Sequence, residues 1–153
     1  MKKFFVVAGL ILAALIVQTT PAFAAYSDDQ IMSTFRTRLV RMAKTSPAEF
    51  SWWRHSESDW SFCKANDCYL STNGTIYTIF LKPGKVMNAA IAITQIDLNS
   101  NSFRFLEGYV YSAANGAFEK ISDSQVATHW RTESIAVEYC KYLKEHYKEI
   151  QGA

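Results

Sequence analysis

The sequence carries almost no surplus charge: 16 lysines and arginines stand against 14 aspartates and glutamates in 153 residues. Lys2 and Lys3 make up the whole excess, so the chain from Ala25 onward is neutral. No block of like charge interrupts it, and capture of nucleic acid or anionic lipid therefore has no compositional support. Signatures of catalysis are equally scarce. There is no G-x-S-x-G, no H-E-x-x-H, no phosphate loop and no dinucleotide fingerprint, and the carboxylates are scattered rather than paired. Repeats and low-complexity segments are also missing. Three histidines and three cysteines are the imidazoles and thiols on hand for a metal or nucleophile site. His55, Cys63, Cys68 and Cys140 suffice for zinc by number, yet the C-x4-C spacing is only marginally finger-like. A Cys140 nucleophile served by His129 or His146 has no local support, and a half-buried structural cysteine explains that residue better. The expectation is a binding or structural protein, with no enzyme activity, cofactor or metal.

What is present begins with an export signal. Lys2 and Lys3 form a basic n-region, Phe4–Val17 an apolar core and Ala22-Phe-Ala24 an A-x-A-like cleavage site. The apolar run is shorter than the ~20 residues of a membrane span. No cysteine follows it, so lipid attachment is not indicated. Removing the first 24 of 153 residues leaves 129, enough for one domain over 25–153 with no membrane span. Export places the cysteines in an oxidising compartment, where disulfides come before metal sites. Cys63 and Cys68 enclose four residues and are expected to pair across a tight turn, leaving Cys140 as the odd thiol. A bond from Cys63 or Cys68 to Cys140 is the rival.

Ser27-Asp-Asp-Gln30 fits a capping box opening a helix over about 28–44. Ile31, Phe35, Leu39 and Met42 form its apolar stripe, and Ser46-Pro47 ends it. Arg36, Arg38, Arg41 and Lys44 read as a solvated face, with a partner-binding basic helix as the sharper alternative. Strands follow over about 50–121. Phe50–His55 and Asp59–Phe62 are dense in tryptophan, and adjacent Trp52 and Trp53 cannot share a face of one strand. Together with Trp60 they are the candidate partner surface, with core packing as the plainer explanation. Asn73-Gly74 is a hairpin turn before Thr75–Leu81. Ile91–Leu98 and Phe103–Tyr111 flank Asn99–Ser102 as the central hairpin. The parity of Phe103, Phe105, Tyr109 and Tyr111 puts all four on one face. In the first segment Ile91 and Ile93 differ in parity from Ile96 and Leu98, so either a bulge reverses the phase near Thr94-Gln95 or both faces are covered. Ala117–Ile121 is a short last strand. A helix over about 133–150, capped by Thr132 or Ser134, carries the stripe Ile135, Tyr139, Tyr142, Leu143, His146 and Ile150, with Cys140 at its edge. The whole reads as α+β: one antiparallel meander of about five to six strands, a C-terminal helix packed on one face and an additional N-terminal helix.

The stretch ITQIDLNSNSFRFLEGYVYSAANG from Ile93 to Gly116, then Trp130 and a terminal helix starting near Ser134-Ile135 and bearing Cys140, resembles the bacterial surface-adhesin protein E family. The likeness covers roughly Trp52 to Leu143. It implies a single antiparallel sheet with the C-terminal helix on one face, and a cell-surface or secreted protein that contacts host extracellular proteins. Leu98 stands where the family often carries a strand cysteine tethering the helix. The alternative is a periplasmic or secreted module that binds an envelope component, a peptide or a small molecule.

Overall fold

The computed structural model describes residues 26–44, 51–84, 89–112, 114–126 and 128–153. The signal segment, Ser46-Pro47 and Phe50 lie outside them. Helix α1 spans Asp28–Lys44. Its capping box forms: the Ser27 N–H donates to Gln30 Oε1 at 2.9 Å and the Gln30 N–H to Ser27 Oγ at 3.2 Å. Asp28 and Asp29 meet the positive end of the helix dipole and Arg41 and Lys44 the negative end. Ile31, Phe35, Leu39 and Met42 are buried, each worth about 1.5–3 kcal/mol over exposure.

Among the described residues, seven strands form one open antiparallel sheet: β1 (Trp52–Arg54), β2 (Ser61–Cys63), β3 (Tyr69–Leu70), β4 (Ile76–Lys82), β5 (Ala90–Asp97), β6 (Ser102–Ser112) and β7 (Ala117–Lys120). Their order is β1-β2-β4-β5-β6-β7, with β3 also on β4. The extra strand arises because β2 and β3 are two parts of one line along β4. Phe62 pairs with Phe80 and Tyr69 with Tyr77, and a 3-10 turn at Ala65–Asp67 is inserted between them. Gly74, at φ +81°, supplies the left-handed residue of the β3–β4 turn.

Helices cover both faces. The Tyr77 hydroxyl donates to Asp28 at the head of α1, whereas the next residue, Thr78, meets Tyr139 of α2 (Ser134–Glu145). Successive strand residues point to opposite faces, so the sheet is sandwiched. Double coverage resolves the parity of β5: Ile91 and Ile93 serve the α1 face and Ile96 the α2 face, and all three are buried. The phase irregularity falls on β6 instead. Ile93 pairs with Glu107 and Thr94 with Phe105, which leaves Leu106 as an unpaired bulge residue. Phe103 and Phe105 therefore join the α2 face, while Tyr109 and Tyr111 turn to the α1 face. The four aromatics do not share a side.

Helix α2 begins after Glu133, not at a Thr132 or Ser134 cap, and gives way to a 3-10 turn at Tyr147–Glu149. Ile135, Ala136, Tyr139, Cys140 and Leu143 are buried. His146 is exposed rather than part of the stripe, and its ring leans on Tyr142 beyond the helix end. Next to this helix, Arg131 bridges to Phe103 through two backbone hydrogen bonds, of 3.0 and 2.7 Å. Its guanidinium lies 5.4 Å from each of the ring centroids of Trp60, Phe103 and Phe105. The neighbouring pair repeats the pattern on the α1 face, with Arg104 4.8 Å over the Trp130 ring.

Candidate functional site

The three tryptophans are divided by the sheet. Trp52 pairs with Cys63 and Trp53 with Phe62, so the two indoles take opposite faces. Trp53 packs on Tyr139 at 4.9 Å and Tyr142 at 5.9 Å. Trp60 meets Phe80 edge-on at 5.1 Å. All three are half-buried, and no single open face holds them together.

Cys63, Cys68 and Cys140 are free and buried. The Cys63–Cys68 bridge expected from spacing is not formed. Its premise, a hairpin, is missing: the intervening turn carries the strand onward along β4 without reversing it. The Cys68 thiol is engaged elsewhere, 3.4 Å from Thr78 Oγ1 and 3.2 Å from the Tyr139 hydroxyl. That hydroxyl donates to the Cys63 carbonyl at 2.6 Å and lies 3.0 Å from Thr78 Oγ1. Burial pushes the Cys63 thiol well above its ordinary value and Cys68 and Cys140 up to about 11. Such thiols are poor nucleophiles and poor metal ligands. Cys140 Sγ faces the Asp97 carbonyl at 3.8 Å. Among the described residues no group of three or more His, Cys, Asp or Glu side chains is arranged to hold a metal ion.

One cluster has no signal in the sequence, because its members lie 82 residues apart. His55, only 7% exposed, has Nδ1 2.7 Å from Ser58 Oγ. Its Nε2 stands 3.2 Å from Glu138 Oε2, close enough for attraction but out of line for a hydrogen bond. Glu138 accepts from the Ser56 N–H at 3.2 Å and the Ser56 hydroxyl at 2.9 Å. Serine, histidine and carboxylate in a row have the composition of an acyl-transfer triad. Here the serine is three residues from its histidine within one turn, and its oxygen also faces the Trp60 N–H at 3.3 Å. The group ties the β1–β2 loop to α2.

A cleft lies between the C-terminal half of α1 and the β6–β7 hairpin. It has a volume of about 510 Å³ and is lined by Val40, Ala43, Lys44, Tyr109, Tyr111 and Phe118, among others. A smaller cleft of about 150 Å³ continues along Arg36, Glu107 and Lys120, sharing Val40 and Tyr109. Tyr111 and Phe118 meet edge-on at 5.6 Å. Arg36 clamps Glu107 with bonds of 2.7, 2.9 and 3.1 Å. Hydrogen bonding from Arg36 holds the Glu107 carboxyl below its ordinary value despite partial burial.

No family model, curated protein or solved structure matches the chain.

The cleft's chemistry is that of contact. Aromatic rings, an apolar helix wall and flanking cations are groups able to bury and orient a ligand. Sequence reasoning missed it because the Leu106 bulge, invisible in the residue pattern, turns Tyr109 and Tyr111 to the α1 face. A usable signal was the aromatic pair Tyr111 and Phe118 on either side of the Asn115-Gly116 turn.

Proposed function

We propose that this chain is an exported binding protein that works by contact with a protein partner and performs no catalysis. The observation that carries this reading is the cleft beside α1, floored by the half-buried rings of Tyr109, Tyr111 and Phe118 and walled by the exposed Val40. The resemblance to surface-adhesin protein E supports a narrower form, in which the partner is a host extracellular protein. A periplasmic partner is the second reading, favoured by the lack of a lipid-attachment cysteine after the apolar signal core.

Protease shaving of intact producing cells separates the two. Degradation of the chain while a periplasmic control survives supports the adhesin. Survival until the envelope is opened refutes it and leaves the periplasmic module. Loss of partner crosslinking in a Tyr109→Ala, Tyr111→Ala double variant of unchanged stability supports contact through the cleft.

A further inference from the structure

Resting on the binding reading above, we infer that the cleft between α1 and the β6–β7 hairpin takes a short acidic peptide segment bearing an aromatic or large aliphatic side chain. Three cations border the two joined clefts: Arg36, Lys44 and Lys120. The one acid among their lining residues, Glu107, is clamped by Arg36 and also attracted by Lys120, and Asp29 and Asp123 act on Arg36 from outside the clefts. Lys44 and Lys120 have no hydrogen-bonding or ion-pair partner among the described residues. Glu119 does not offset them: it alternates with Lys120 to the other side of β7 and accepts from Asn115. Three cations against one acid leave the lining residues with a positive excess of two around an apolar floor.

The floor explains the hydrophobic half of the ligand. Val40 is 41% exposed on the helix wall, opposite Tyr109, Tyr111 and Phe118. A cleft of about 510 Å³ has room for one large side chain and adjoining backbone. β7 is the outermost strand of the sheet, so an extended segment along it also finds backbone groups that no described strand pairs. A polyanion such as nucleic acid or an anionic membrane fits less well, because two lysines around aromatic rings on a neutral chain give little phosphate attraction.

The test uses the chain purified from cells that export it. The probe is a fluorescein-labelled octapeptide of alternating aspartate and phenylalanine, and the control has lysine in place of aspartate. Fluorescence anisotropy is expected to show binding of the acidic probe, weakening with salt. A Lys44→Glu, Lys120→Glu double variant of unchanged thermal midpoint is expected to bind about tenfold more weakly or worse. Equal binding of the lysine control, or an unaffected double variant, overturns the inference. So does competition by anionic vesicles or single-stranded DNA as effective as unlabelled peptide. If no peptide binds but crosslinking in intact cells still captures a partner, the acidic-peptide inference fails and the binding function stands. If neither occurs, both fail.

Discussion

Replacing Tyr139 by phenylalanine removes one oxygen atom and leaves every ring contact of α2 in place. The ring stays stacked on Phe62, with centroids 4.4 Å apart, and beside Trp53. What goes is the hydroxyl at the middle of a buried knot, 2.6 Å from the Cys63 carbonyl, 3.0 Å from Thr78 Oγ1 and 3.2 Å from Cys68 Sγ. Thr78 and Cys68 retain each other at 3.4 Å, but the Cys63 carbonyl loses its short donor. A net hydrogen bond is worth about 1 kcal/mol, and a buried acceptor left without one costs about 1–3 kcal/mol. The expected loss is therefore about 1–3 kcal/mol, or a midpoint lower by about 1 M urea for a slope of roughly 2 kcal/mol/M. Equilibrium unfolding followed by tryptophan fluorescence reads it directly, since Trp53 reports on the same contact. Thr78→Val closes a double-mutant cycle. If the knot is one unit, the double variant loses less than the sum of the singles by at least about 0.5 kcal/mol. A Tyr139→Phe change within about 0.3 kcal/mol of the parent, or strict additivity, refutes the network.

Gly108→Ala should lower stability by about 1–3 kcal/mol, because its Cβ would fall 2.9 Å from the Ile91 carbonyl oxygen and 3.3 Å from Ala92 Cβ. Gly116→Ala meets no atom within 4 Å and should cost about 1–2 kcal/mol, solely through its φ of +63°; thermal melts compare the two. Stability should fall as pH drops below about 4, because the Glu107 and Asp28 carboxyls are held below their ordinary values in the fold. For Asp28, burial pushes upward and is outweighed by hydrogen bonds from Asn73, Ser71 and Tyr77. Both stabilise fully above the unfolded value and lose that contribution as pH falls through the folded one. Arg36→Ala should flatten the acid limb of urea midpoint against pH. Iodoacetamide at pH 8 should label the native chain very slowly and three thiols after denaturation; fast native labelling, or a single thiol after denaturation, contradicts the free, buried cysteines.

Local signals in the sequence were strong where one residue type acts on its neighbours. Ser27 and Gln30 specify the start of α1, and the spacing of Ile31, Phe35, Leu39 and Met42 specifies its buried side. Asn73-Gly74 marks a turn that only a left-handed residue closes easily. Adjacent Trp52 and Trp53 hinted at the second covered face. Periodicity failed where an extra residue enters a strand, since a bulge at Leu106 and a 3-10 insertion at Ala65–Asp67 leave no trace in hydrophobic pattern. Those two irregularities caused the misplaced Tyr109 and Tyr111 and the false hairpin between Cys63 and Cys68. The Ser58–His55–Glu138 group was out of reach for another reason, because long-range pairing is set by tertiary packing alone.

The bulge also makes a test of strand register that ordinary substitutions do not offer. In the ladder, Thr94 faces Phe105 and Ile93 faces Glu107, so Leu106 is surplus to the pairing. Deleting Leu106 should therefore leave Phe105 on the α2 face, Glu107 against Arg36, and Tyr109 and Tyr111 in the cleft. The cost is one half-buried side chain, about 1–2 kcal/mol, and some local twist. Deleting Arg104, two positions earlier in a regular part of the strand, must instead shift one arm of β6 by one residue. Every side chain in that arm would then change face, placing Phe103 under α1 or Glu107 under α2. Urea unfolding should find the Leu106 deletion cooperative with a slightly lower midpoint and the Arg104 deletion unfolded. Equal damage from both would mean that β6 runs without a bulge. The cleft would then lose its aromatic floor, because Tyr109 and Tyr111 would follow Phe103 and Phe105 to the opposite side of the sheet.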